Sequence, residues 1–165
     1  MQVKIPRKFA VAADIYAFEL VHPDGAALPA FSAGAHIDVM LRDDLVRQYS
    51  LCNDSRESHR YLIAVLRDAH SRGGSIAMHA LDEGGLLEVS EPKNHFSLHG
   101  QAGHSVLLAG GIGVTPVISM AEALAHAGAS FEMHYCTRSA ARTPFRDRLA
   151  DSRFAIRRTR SSLCR

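Results

Sequence analysis

The sequence predicts two structural units in tandem: a small antiparallel β barrel over about the first hundred residues, then the opening of a doubly wound α/β domain. Two observations carry this. Short β-rich segments separated by turn signals recur up to about Ser90, the spacing of a small barrel. After Gly103 the pattern changes to an apolar run, a glycine turn and an amphipathic helix, the order of a β-turn-α-β unit.

The elements follow in order. Phe9 to Val21 and Ala35 to Leu41 are β-rich, with partial alternation in Ile37-Asp38-Val39-Met40-Leu41. Val46 to Leu51, Tyr61 to Leu66 and Leu86 to Ser90 complete the strands. Turn signals stand between them at Pro23-Asp24-Gly25, Ser32-Ala33-Gly34, Asn53-Asp54-Ser55 and Glu83-Gly84-Gly85. One helix, about Ser75 to Leu81, interrupts the strands and is entered through Arg72-Gly73-Gly74, with Ser75 as its candidate cap. Leu98 to Gly103 forms the boundary. Ser105 to Ala109 reads as a buried parallel strand. Thr115 suits a helix cap and Pro116 the first helical position; Val117, Met120, Ala121 and Leu124 fall at helical spacing, and Gly128 ends the helix. Ser130 to Tyr135 is the second strand of this unit.

Composition narrows the function. A chain of 165 residues accommodates one domain, or one domain and part of another. The net charge of +2 gives no reason to expect nucleic acid, and no apolar run is long enough to predict a membrane span. The N-terminus has no apolar signal region, so none is expected. Three widely spaced cysteines, Cys52, Cys136 and Cys164, argue for a reducing, cytoplasmic setting. Residues 152–165 form an atypical basic tail with five arginines and no acid. Such a tail suits a nucleic-acid or membrane arm, or no role. The last reading is adopted, because arginines interrupt Phe154, Ile156 and Leu163, whereas a central parallel strand reads as a near-continuous apolar run.

Three segments carry chemistry. Arg47-Gln48-Tyr49-Ser50-Leu51 places a cation and an aromatic on one face of a strand, with Ser50 turned the other way. A flavin needs a flat platform, a cation for its phosphate and a hydrogen-bond partner near its ring nitrogen, and this strand offers all three. Plain surface is the alternative. Arg72-Gly73-Gly74-Ser75 precedes a helix, where glycines admit a ligand to the backbone and the arginine clamps phosphate; a capped helix without ligand is the alternative. Gly110-Gly111-Ile112-Gly113-Val114-Thr115-Pro116 has the strand, glycine turn and helix context of a phosphate loop, or of a tight turn alone. It is neither the Gly-x-Gly-x-x-Gly fingerprint nor a Walker loop. Histidines such as His95, His99 and His104 share no helix face and have no carboxylate partners, so no metal is assigned.

The order of these segments resembles the phthalate dioxygenase reductase family, and within it the vanillate O-demethylase reductases, of the ferredoxin–NADP reductase superfamily. Tyr61 to Val65, Pro92-Lys93-Asn94-His95-Phe96, His134 to Ser139 and Phe145 to Leu149 continue the match, which covers about residues 3 to 150. The resemblance implies a six-stranded antiparallel, flavin-binding β barrel over residues 1–100. It implies an incomplete α/β nucleotide-binding domain over residues 101–150. The implied reaction is hydride transfer from NADH or NADPH to FMN (FAD fits less well), then electron transfer to an iron–sulfur carrier and a terminal oxygenase. Carried over, Arg47, Gln48, Tyr49 and Ser50 contact the flavin, Ile63, Ala64 and Val65 lie along it, and Arg72, Gly73, Gly74 and Ser75 hold its phosphate. Ser50 and Thr115 take the catalytic positions, Thr115 where flavin and nicotinamide meet. Gly110, Gly111, Gly113, Thr137, Arg138 and Ser139 contact the nucleotide.

One departure qualifies the match. The family carries a C-terminal plant-type 2Fe–2S domain whose ligands follow a Cys-x4-Cys-x2-Cys pattern, and these cysteines do not supply it. The sequence therefore reads as truncated relative to that family, and a non-catalytic flavin-binding remnant is the alternative to an enzyme.

Overall fold

The computed structural model describes residues 1–42, 44–100 and 102–151, and the backbone of residues 156–160. Six strands form one antiparallel sheet: β1 (Gln2–Ala12), β2 (Ile15–Val21), β3 (His36–Arg42), β4 (Leu45–Ser50), β5 (Tyr61–Leu66) and β6 (Leu86–Val89). Their order is β4-β3-β6-β1-β2-β5, so β4 and β5 stand at its two ends. These are the six antiparallel strands predicted for the first unit, although β1 begins at Gln2, earlier than expected. Pro6 masks that start, since proline is a poor strand residue. It sits within the register shift between Lys4 and Arg7, where a proline is tolerated.

β5 shows why an uninterrupted apolar run was needed. Tyr61, Ile63 and Val65 face a core with Val3, Ile5, Phe18 and Leu20. Leu62 and Ala64, on the opposite face, join a second core with Ile15, Ala17, Val114, Val117, Ile118, Met120 and Met133. Helix α1 (Gly74–Ala80) lies against β3, β4 and β5 and buries Met78 in the first core. Lys8 fixes its far end, its Nζ donating to the carbonyls of His79 at 2.6 Å and Leu81 at 2.9 Å. Ser75 does not cap this helix. Gly73 does, at φ +94°, and the Ser75 hydroxyl instead accepts from the Asp68 N–H at 3.1 Å.

The second unit contains β7 (Ser105–Gly110), α2 (Val114–His126), β8 (Phe131–Thr137), α3 (Arg146–Ala150) and β9 (Ile156–Arg160). Its sheet is parallel in the order β7-β8-β9. Gly128 ends α2 as predicted, at φ +63°. Its N–H donates to Ala125 at 3.2 Å, and that of Ala129 donates to Leu124 at 3.0 Å, the pattern of a Schellman cap. Thr115 is not the cap, because a short 3-10 turn over Gly111–Gly113 runs directly into the helix. The Thr115 hydroxyl donates back to the Ile112 carbonyl at 3.1 Å.

The expectation that the basic tail contributes no strand is corrected. The backbone of Ile156–Arg160 pairs with β8, from Met133 opposite Ile156 to Thr137 opposite Arg160. A ladder needs only backbone donors and acceptors beside an open strand edge, so an interrupted apolar pattern does not forbid it. The rest of the tail lies outside the described residues.

The units are fused through the second core and through polar links. Ala13 N–H donates to the Ala141 carbonyl at 2.8 Å, and Arg148 Nη1 to the Cys52 carbonyl at 2.9 Å. Among the described residues, no helix is long and apolar enough to cross a membrane.

Candidate functional site

Strand β4 presents two chemistries on two faces. Arg47 and Tyr49 pair with Val39 and Ile37, which are buried in the barrel core, so both share that side. Gln48 and Ser50 pair with Asp38 and His36 on the other face. The Gln48 amide donates to Asp38 at 2.9 Å, and Lys93 reaches the same carboxylate at 2.6 Å. Lys93, helped by Gln48, holds the Asp38 carboxyl below the usual carboxylate range. The Gln48 side chain is thus engaged away from Arg47 and Tyr49. Tyr49 is half-buried, and burial pushes its hydroxyl up to about 12 against the opposing charge of Arg47. Its ring is a neutral, flat surface at physiological pH.

Arg47 then meets the turn before α1. A Cβ built on Gly74 would stand 2.6 Å from Arg47 Nε, and one on Gly73 would be 3.5 Å from Arg42 Nη2. The exposed Arg72 precedes these glycines. Three guanidinium-bearing residues therefore border one glycine turn, an arrangement that suits a phosphate dianion. The structure thus joins two segments separated by some 25 positions in sequence, Arg47 and Arg72-Gly73-Gly74-Ser75.

β5 contributes backbone. The side chains of Ile63, Ala64 and Val65 are all buried. The Arg67 N–H donates to Asp14 at 2.7 Å just beyond the β2–β5 ladder, which sets its phase. The main-chain groups of Leu62, Ala64 and Leu66 therefore point to the free edge. Asn53 Oδ1 takes the Leu62 N–H at 3.0 Å, and the Leu62 carbonyl takes the Cys52 N–H at 2.8 Å. Further along, Ala64 offers its donor and acceptor on the same edge, suited to a heterocycle with alternating acceptors and donors.

A cavity of about 310 Å³ opens where β7 and β8 end. It is lined by Gly110, Gly111, Thr137 and Arg138, all predicted, and by Ala13, Ile15, Leu66, Ile112, Cys136 and Arg142, which were not. This is the crevice at strand carboxyl ends where doubly wound folds bind ligands. Tyr135 steadies its rim, its hydroxyl donating to the Gly111 carbonyl at 3.1 Å. Gly113, Thr115 and Ser139 do not line it. Ile15 and Leu66 belong to the barrel, so their place in the cavity depends on how the two units pack, which no local pattern encodes.

A six-stranded antiparallel sheet packed against a parallel β-turn-α-β unit defines a ferredoxin–NADP reductase-like fold. Ferredoxin–NADP+ reductase from Plasmodium falciparum shares this fold, with a TM-score of 0.77 at 14% identity. No family model matches the chain. Much closer is phthalate dioxygenase reductase, described as a modular structure for electron transfer from pyridine nucleotides to 2Fe–2S. It superposes with a TM-score of 0.93 at 44% identity, over 96% of this chain and 51% of that one. Vanillate O-demethylase oxidoreductase of Pseudomonas putida is 54% identical over 147 residues, 88% of this chain and 46% of that protein. Phthalate dioxygenase reductase of Burkholderia cepacia is 48% identical over 151 residues, 90% and 47% respectively. The chain belongs to the phthalate dioxygenase reductase family, and it spans about half the length of the curated relatives it matches.

Proposed function

We propose that this chain is the flavin-binding portion of an NAD(P)H oxidoreductase that serves an oxygenase, with FMN as its flavin. The observation that carries this reading is the contact of Arg47 with Gly74, which turns two separate sequence segments into one anion cradle beside a flat tyrosine. The cradle favours a terminal phosphate dianion over a bridging pyrophosphate, hence FMN over FAD. When bound, the flavin and a nicotinamide supply hydride transfer at the ring nitrogen.

The protein's part is geometric and electrostatic. Arg47, Arg72 and the Gly73–Gly74 backbone hold the phosphate. Tyr49 would support one face of the ring, and the backbone edge of Ala64 would offer hydrogen bonds to its polar rim. Ser50, at the end of the edge strand β4, would serve the hydride-accepting nitrogen. Gly110, Gly111, Thr137 and Arg138 seat the dinucleotide, with Arg138 and Arg142 supplying positive charge to its phosphates. Thr115 supports the helix start beside that crevice. The reading extends to a terminal oxygenase or an iron–sulfur carrier as electron acceptor and to a cytoplasmic setting, which the free thiols Cys52 and Cys136 suit.

Heat release and chromatography of the bound flavin test the reading, with FMN expected; recovery of FAD contradicts the cofactor assignment. Arg47→Ala and Arg72→Ala should each weaken FMN binding ten- to a hundredfold, the loss of roughly 1.5–3 kcal/mol. NADH should bleach the bound flavin anaerobically. A chain that binds flavin but does not bleach is a binding remnant.

A further inference from the structure

We infer that His36 is a positioning residue for the flavin site, holding the Ser50 hydroxyl through Nε2; the inference rests on the flavin reading above. His36 and Ser50 are direct partners across β3 and β4. The adjacent pair is hydrogen-bonded, with Leu51 N–H donating to the Ala35 carbonyl at 2.9 Å. His36 and Ser50 therefore form a non-hydrogen-bonded pair, the kind in which side chains stand closest, with Cβ atoms about 4.5–5.5 Å apart. Both side chains leave the same face of the sheet.

The ring is held from behind. His36 N–H donates to the Lys93 carbonyl and Lys93 N–H to the His36 carbonyl, each at 2.9 Å, so the main chain cannot slide. The His95 ring packs against the imidazole edge-on, with centroids 5.3 Å apart. In this setting Nε2 is enclosed and has no hydrogen-bond partner among the described residues. A buried polar atom left this way calls for an explanation. The charged neighbours do not provide it, since Asp38 and Lys93 are bonded to each other and Asp38 also to Gln48.

The cross-strand Ser50 hydroxyl is the partner assigned to Nε2 in the flavin-bound state. A hydroxyl offers one donor and two acceptor sites, so it bonds a ring nitrogen in either tautomer and still has a site for a ligand. Free serine samples three staggered rotamers, and a bond to Nε2 selects one of them. The two groups are not bonded here. The bond forms when the flavin settles against β4 and fixes the Ser50 rotamer, which makes His36 the group that aims Ser50 at the ring.

FMN titrations followed by flavin fluorescence test this in the unaltered chain, in His36→Leu, in His36→Gln, and in each of these in a Ser50→Ala background. His36→Leu should weaken FMN affinity three- to tenfold. His36→Gln, whose amide reaches towards the Nε2 position, should stay within twofold. In the Ser50→Ala background His36→Leu should change affinity less than twofold, a non-additivity that a packing role would not produce. An equal loss in both backgrounds overturns the inference, as does no loss in the first. Where melting shows that His36→Leu does not fold, His36→Asn takes its place. It keeps a polar group but stops short of Nε2, and affinity equal to that of His36→Gln overturns the inference. Failure of the flavin reading looks different: the unaltered chain then shows no FMN titration, and both claims fall.

Discussion

Arg47 lies across the bare Cα of Gly74, so that an added Cβ would meet its Nε at 2.6 Å and its Cγ at 2.7 Å. The obstacle is a side chain rather than backbone, so Gly74→Ala should still fold, with Arg47 turned from Cγ outward into another rotamer at a modest cost in stability. It should nevertheless displace the guanidinium from the cradle and weaken FMN binding about tenfold, roughly 1.4 kcal/mol. Calorimetric titration beside a melting curve separates the two effects. Unchanged affinity would remove Arg47 from the phosphate site.

Gly34 is the opposite case. It sits at φ +92°, and a Cβ there would fall 2.0 Å from the Phe96 carbonyl oxygen and 2.8 Å from Met120 Cε. Backbone cannot swing away as a side chain can. Gly34→Ala should cost about 3 kcal/mol, from left-handed strain and overpacking together. Denaturant midpoints read this directly, and a loss below about 1 kcal/mol would show that the loop yields.

Acid should weaken the corner around Glu57. Burial raises the pKa of this carboxyl, but Arg60, whose Nε donates to it at 2.7 Å, outweighs burial and leaves it below its usual value. A carboxyl depressed in the folded state stabilises the protein above its unfolded pKa, and that stability is lost as pH falls through the folded one. Glu57→Gln should therefore melt below the unaltered chain at pH 7, and the gap should narrow towards pH 3. A gap independent of pH would assign the effect to packing.

The two described thiols should react very differently. Cys52 is fully buried, and burial pushes its thiol up to about 12, whereas Cys136 lies at the cavity rim. Thiolate is the reactive form. Alkylation of native protein followed by peptide mapping should modify Cys136 and spare Cys52 until denaturant is added. Early modification of Cys52 would mean that the joint between the units opens readily.

Removal of residues 156–165 should lower stability by about 1 kcal/mol or more, since β8 loses a ladder and gains an open edge. Melting temperatures of the full and shortened chains check this. Equality would show that β9 contributes little.

What was legible in the sequence was what is encoded locally. Alternation along β4 placed Arg47 and Tyr49 on one face, and the same alternation places Gln48 and Ser50 on the other, where Gln48 is bonded to Asp38. The apolar run Tyr61 to Leu66 announced a strand, to which the structure adds burial on both sides, and Gly128 announced the end of α2. What stayed hidden depended on distant pieces meeting. Nothing near Ile15 or Leu66 says that they line the cavity at the ends of β7 and β8, and nothing near Gly74 names Arg47 as its neighbour. Helix starts also misled, because Thr115 and Ser75 have capping chemistry but turn to the Ile112 carbonyl and the Asp68 amide.

The joint between the two units is built partly from small side chains: Ala17, Ala33 and Ala64 of the first unit share the second core with Ala109 and Ala121 of the second. Each is nearly closed to solvent, so none can grow without pushing the sheets apart. These methyl groups act as spacers that set how far β4 and β5 stand from the crevice at the ends of β7 and β8. A reaction between two bound rings depends on their separation to a fraction of an ångström. Under the function proposed above, turnover should thus respond to the volume of Ala17, Ala33, Ala109 and Ala121, which have no place in either site.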